Sequence, residues 1–269
     1  MRRPLPLAGA LLLAGTLVAP AAAQPAPAPY PGAREAALAR AEALYAGRKP
    51  EEAMEVLEER LAAAPDDYQA RWQAARAALS AGLLLETEEE QNPRFRRGIA
   101  HGEAATALDP EGVEGIYWLL ANTGRLAFTL PPRATADAAQ EIYLLSHRIL
   151  ALDSLHAGAW NALGKLNFEV MRLSAFERFL ARLFLGNDAL RLTSWENALA
   201  YNARAVELDP TDPSFRLDLG VVHLFRERYE EAARELQLAL DLPLRHPGDV
   251  LYQREAAGLL PFARERRKP

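Results

Sequence analysis

The chain contains no cysteine, and among its 269 residues lysine occurs only at Lys49, Lys165 and Lys268. The missing thiols exclude disulfides, thiol nucleophiles, cysteine-ligated metals and lipidation of a cysteine. They do not identify a compartment, because an exported protein can dispense with disulfides. Basic charge is carried almost wholly by arginine, in no sustained run, and the formal net charge is -5. Such a chain is poorly suited to nucleic acid, which demands a basic face. Valine, isoleucine and threonine are too sparse for strands, and Gly and Pro are expected at boundaries. Five histidines, His101, His147, His156, His223 and His246, form no metal-ligand spacing. There is also no Gly-x-Ser-x-Gly elbow, no phosphate loop and no carboxylate pair marked out for catalysis. The reading is therefore of a protein that is not an enzyme and needs no cofactor.

One long apolar run is present, and it lies at the N-terminus. Arg2 and Arg3 precede the apolar stretch Leu5 to Val18, Pro20 breaks it, and Ala21, Ala22 and Ala23 come before Gln24. A charged start, a short apolar centre and small residues at its end describe a secretory signal cleaved near Ala23. The run is short for a membrane span, although retention of residues 5–18 as an anchor is the alternative. Cleavage would take the charge to -7 by removing Arg2 and Arg3. Residues 24–32, with Pro25, Pro27, Pro29 and Pro31, read as an extended, flexible leader. The expected address is periplasmic or secreted, in a bacterial setting.

Residues 33–266 read as a helical array, and 267–269 as a basic tail. A helix-ending beat returns along it: Ala105, Leu108, Asp109 and Pro110, then Leu152, Asp153 and Ser154, then Ala205, Leu208, Asp209 and Pro210, with a worn version at Ala63, Ala64 and Pro65. Each ending is followed by a new helical pattern. About eleven or twelve helices are expected: an all-α, helical-hairpin solenoid with irregular insertions. Helix starts are expected at Pro50, at Ala136 with Thr135 as cap, at a Thr193–Glu196 capping box, and at Pro213 with Asp212 as cap. Glu86, Glu88, Glu89 and Glu90 read as a solvated loop rather than a cation site, since they lack the alternating ligands and turn glycine of a calcium loop. Trp72, Trp118, Trp160 and Trp195 fall where repeat helices need bulk, so they read as packing residues. Phe176 to Leu185 is an extra apolar segment, read as a helix covering the array with a membrane or partner contact as the alternative.

These helix pairs resemble tetratricopeptide repeats. Leu219 and Gly220 match the Leu-Gly of that motif's first helix, and Ala232 and Ala239 its small positions in the second; Trp160, Leu163, Gly164, Ala198, Ala205 and Pro210 fit another unit. The beat departs from the motif's period of about 34 residues: its intervals are 45, 44 and 56 residues between Pro65, Pro110, Ser154 and Pro210. That irregular layout is similar to the tetratricopeptide domain of the regulator of microtubule dynamics family, over roughly Tyr68 to Leu260. The supporting residues are Tyr117, Trp118, Gly124 and Arg125; Trp160, Gly164 and Lys165; Leu173, Ser174, Phe176, Glu177, Leu183, Phe184 and Gly186; and Trp195, Glu196, Ala198 and Leu199. Eukaryotic members of that family are associated with microtubules and membranes. With a bacterial signal peptide, the resemblance implies the fold and a partner-binding role only.

A repeat superhelix presents the first helix of each pair on its concave face. By that geometry Tyr117, Asn161 and Lys165 are the candidate groove residues: Asn and Lys to hold a peptide backbone or carboxylate, Tyr to add apolar area. The expected partner is a protein or peptide of the cell envelope, bound by a scaffold. A solenoid that binds or processes cell-wall glycan is the second reading, and a membrane-tethered scaffold the third.

Overall fold

The computed structural model describes residues 32–175, 178 and 188–266. The signal, nearly all of the leader, most of the Phe176–Leu185 segment and the basic tail lie outside the described residues. Among the described residues twelve helices run in order: α1 (Ala33–Ala46), α2 (Pro50–Ala63), α3 (Tyr68–Leu83), α4 (Glu88–Leu108), α5 (Val113–Ala127), α6 (Pro132–Leu152), α7 (Ala157–Met171), α8 (Asp188–Arg191), α9 (Trp195–Leu208), α10 (Pro213–Phe225), α11 (Tyr229–Asp241) and α12 (Asp249–Arg266). No strand occurs among the described residues. Five antiparallel hairpins result, α1–α2, α3–α4, α5–α6, α7–α9 and α10–α11, and α12 packs on the last of them. The first helices contact one another in series, α3 to α5 to α7 to α10 to α12. This series is the inner wall of the solenoid, as expected of hairpins that stack with a small rotation per repeat.

The recurrent Leu-Asp-Pro ending has a physical cause. Asp109, Asp153 and Asp209 each leave the helix in an extended conformation while their own N–H closes its last turn, on Ala105, Ile149 and Ala205 respectively. Each carboxylate then accepts the N–H two residues on, from Glu111 at 3.1 Å, Leu155 at 3.0 Å and Thr211 at 3.0 Å. One short side chain thus ends a helix and folds the turn after it. The next helix begins four residues after each aspartate, at Val113, Ala157 and Pro213. Connectors of equal length thus join hairpins that themselves differ in length.

The core lies in separate clusters between neighbouring helices. Ile116, Leu120, Ile142, Ile149 and Leu166 join the third and fourth hairpins. Leu217, Leu236 and Leu260 join α10, α11 and α12. The four tryptophans are half-buried at the margins of such clusters rather than at their centres. Trp118 and Trp160 keep their indole N–H groups paired, to Glu114 and to the carbonyl of Ser154.

Three local expectations are corrected. Glu88, Glu89 and Glu90 are not loop: they form the first turn of α4, with Thr87 and Glu90 making a reciprocal capping box. Three carboxylates suit that position because they oppose the positive end of the helix dipole. Thr135 is not a cap, since α6 starts at Pro132 and the Thr135 hydroxyl donates to the Leu130 carbonyl at 2.9 Å. The cap of α9 is Ser194, which accepts from Asn197 N–H at 3.0 Å, while the Thr193 hydroxyl donates back to the Leu190 carbonyl. Asp212 and Pro213 do open α10 as cap and first residue.

Candidate functional site on the inner wall

Asn161 and Lys165 sit one turn apart on α7 and converge on one carboxylate of α10. The Lys165 ammonium lies 2.8 Å from Asp218 Oδ1, and the Asn161 amide donates to Asp218 Oδ2 at 3.0 Å and to Asn202 Oδ1 at 3.1 Å. Asn202, on α9, is fully buried and donates its own amide to the Ala198 carbonyl. The network ties three helices of two hairpins together, with Lys165 and Asp218 largely shielded from solvent. A ligand carboxylate approaching Lys165 therefore meets a cation that already has a partner, and must compete with Asp218 for it.

Tyr117, on α5, is half-buried and belongs to the preceding hairpin. Its ring packs 4.7 Å from His156 and 4.9 Å from Trp118, and it lies so close to Gly158 that a side chain there would collide with it. Burial pushes its phenol above the usual range, and the charges of Asp212 and Glu114 act in the same direction. Glycine at 158 is thus what lets the ring settle against the start of α7. His156 caps that helix, its Nδ1 accepting Ala159 N–H at 3.1 Å. Asn161 and Lys165 form one polar unit, and Tyr117 is an aromatic step next to it.

Sequence reasoning missed two charged members of this wall. Asp218 is one; nothing in its local pattern marks it as the partner of a lysine 53 residues earlier. Arg125, one turn beyond Ala121 on α5, is the other. Its guanidinium donates to the Tyr252 hydroxyl at 2.7 Å, and the guanidinium carbon lies 5.3 Å from the Tyr252 ring centroid. Burial opposes the charge on Arg125, but Tyr252, Asp218 and Glu255 more than offset it, so it stays protonated.

A cleft of about 70 Å³ opens beside Lys165 and Asp218, lined also by Phe168, Glu169, Asn202, Val222 and Glu255. Small-molecule sites run to roughly 300–1,000 Å³, so this cleft has room for a side chain rather than a substrate. Carboxylates pushed upward by burial lie elsewhere: Glu141 is on an exposed stretch of α6 near Glu103, and Asp212 is engaged as the cap of α10. No cluster of His, Cys, Asp and Glu suited to a metal ion occurs among the described residues.

Comparisons with known proteins agree with this architecture. The family model described as regulator of microtubule dynamics protein 1-3 matches residues 37–263. The crystal structure of TTC0263, a thermophilic TPR protein in Thermus thermophilus, is similar with 20% identity and a TM-score of 0.59, covering 84% of this chain and 98% of that one. YrrB, described as a TPR protein with an unusual peptide-binding site, shares 16% identity at a TM-score of 0.40, over 81% of this chain and 90% of its own. That second likeness is too distant to carry an argument. No curated protein sequence matches the chain.

Proposed function

The chain belongs to the regulator of microtubule dynamics family, and on that premise we propose that it is a tetratricopeptide-like scaffold that binds a protein or peptide on its inner wall. The observation that carries the reading is the convergence of Asn161 and Lys165 on Asp218, with Tyr117 alongside. Such a wall offers an ammonium, an amide and an aromatic face at positions fixed by rigid helices. Those groups suit a peptide carboxylate, a backbone carbonyl and an apolar side chain respectively. The small, mixed-charge cleft favours this over glycan processing, which needs a deep pocket around a carboxylate of raised pKa.

Export belongs to the same proposal. The Arg2–Ala23 segment supports it, and only if that segment were retained would the proline leader tether the array to an anchor. No helix of the described residues is long and apolar enough to cross a membrane. N-terminal sequencing of the protein from its native host separates a chain beginning near Gln24 from one anchored through residues 5–18.

Pull-down from cell-envelope extract with residues 33–266 tests the binding site. Lys165→Glu, combined with Tyr117→Ala and Asn161→Ala, should abolish recovery of the partner while the helical circular dichroism signal is retained. Full recovery by that triple variant would remove these residues from the interface.

A further inference from the structure

The connection between α11 and α12 does not behave as a surface loop. Loops run over the surface because their backbone groups need water, yet Pro247 and Gly248 are buried, as is Asp249 at the start of α12. They are buried against the opposite end of the array. His246 places its ring 6.2 Å from that of Tyr45 on α1. A side chain at Gly248 would lie 3.0 Å from Leu83 Cδ1 and 3.8 Å from Leu83 Cβ, at the end of α3. Leu251 and Tyr252 pack on Leu79, Leu83, Phe95 and Leu126. Residues 243–252 thus cross the inner wall and lie over its first three hairpins.

Two features make this seat exchangeable. His246 Nδ1 is buried with no hydrogen-bond partner in the protein, and a buried polar atom left unpaired destabilises the seat it occupies. Arg125 is held by the Tyr252 hydroxyl, and no carboxylate of the described residues pairs with it directly. A guanidinium binds a carboxylate through shorter, charge-assisted and often bidentate bonds that a phenol cannot match. By contrast, the segment's own acid, Asp249, is turned inward to accept the N–H groups of Arg245 and His246, both at 2.7 Å. It keeps the turn in shape and leaves Arg125 to Tyr252.

We propose that residues 243–252 are a latch closed over the inner wall by the Arg125–Tyr252 contact, and that an acidic ligand group opens it by taking Arg125 from Tyr252. This deepens the scaffold reading, on which its ligand half rests, and it adds to the Lys165 position, where Asp218 competes, a second acidic subsite at Arg125 on α5. The segment is then a competitor built into the chain, and partner binding is coupled to release of the α11–α12 connection.

The absence of native cysteine provides the test. In a Leu83→Cys variant of the full chain the single thiol lies under Gly248, and its alkylation rate by iodoacetamide reports opening. Adding Tyr252→Phe should raise that rate at least about tenfold, the scale of a lost hydrogen bond to a charged group; labelling of Met54→Cys, in the core of α2, should not change. Leu83→Cys with Gly248→Cys puts two Cβ atoms at a separation that suits a disulfide. Oxidation should lock the latch and weaken binding of fluorescein-labelled hexaglutamate at least about tenfold, with dithiothreitol restoring it. Unchanged labelling in the Tyr252→Phe variant, or measurable hexaglutamate binding that is equal in locked and reduced protein, overturns the latch. Accelerated labelling without any hexaglutamate binding to the reduced protein would retain the latch and overturn the acidic ligand. Loss of partner recovery on changing Asn161 and Lys165 is a separate readout, so the scaffold reading and the latch fail independently.

Discussion

Lys165 Nζ lies 2.8 Å from Asp218 Oδ1, so this lysine of the inner wall is held by a carboxylate of the next hairpin. The pair serves two ends at once. It fastens α7 to α10, and it sets the threshold that an incoming anion has to exceed.

Replacing Asp218 with alanine separates those ends. The partly buried ion pair and the Asn161 contact are lost together, so stability should fall by about 1 kcal/mol. Affinity for carboxylate-bearing peptides should rise, because Lys165 and Asn161 are released. Urea unfolding and fluorescence polarisation measure the two quantities; a parallel fall in both would mean that Asp218 itself contacts the ligand.

Two glycines in helices should respond in opposite ways to alanine. A methyl group at Gly102 would sit 2.7 Å from both Cα and Cβ of Leu119, and backbone on the facing helix cannot rotate aside. Gly102→Ala should force α4 away from α5 at a cost of about 2–3 kcal/mol. Gly258 is exposed on α12 with open space around it. Gly258→Ala should stabilise by about 0.5–1 kcal/mol through reduced backbone entropy of the unfolded chain. Thermal unfolding of the two variants checks the contrast.

Asp67 predicts an acid weakness in the first two hairpins. Burial raises its pKa, but Arg34, the Ala70 N–H and Arg60 outweigh burial and hold the carboxyl below its usual value of 3.8. Its contribution is therefore present above the unfolded pKa and is lost as pH falls through the folded one. Asp67→Ala should cost roughly 3 kcal/mol at pH 7, since it removes a cap and leaves Arg60 without its buried partner. Urea unfolding at pH 7 and pH 3 should show the difference between variant and parent shrinking with acid.

His101 is expected to be neutral with its proton on Nε2. Arg71 can only donate, so Nδ1 at 3.3 Å must accept, and Nε2 then donates to Glu58 at 3.1 Å. Burial lowers the His101 pKa beyond what Glu58 restores. A depressed folded pKa means stability present above the unfolded value of 6.5 and lost as pH falls through the folded one. Nitrogen-15 NMR of the imidazole should show an Nε2–H tautomer at pH 7 and a midpoint below 6.5. An Nδ1–H signal would contradict the Arg71 contact.

Helix existence and order are legible because Asp109, Asp153 and Asp209 end helices, and Pro50 and Pro213 begin them, where backbone groups run out of partners. Ala33–Ala46 is readable to its last residue, and Asp212–Pro213 names a start correctly. Misplacements come where two candidates compete for one role. Thr193 has capping-box spacing to Glu196, but Ser194 is the residue that reaches the free N–H. Thr87 and Glu90 carry the same signal in plain view, hidden by the acidic run around them. In the candidate site, α7 places Asn161 and Lys165 one turn apart, which helical period alone requires. Asp218, Arg125 and the seat of residues 243–252 cannot be read the same way. Their positions depend on the rotation summed over successive hairpins, and no local pattern encodes that sum.

The contact between Tyr45 and His246 has a consequence for cooperativity. An open solenoid behaves as a line of units in which each end frays without regard to the other. Here the first hairpin and the last connection are neighbours in space, so the line is joined into a loop. Melting that begins at α1 removes a support from α12, and the reverse holds equally. The two termini should then lose protection at the same denaturant concentration, as a single seam would.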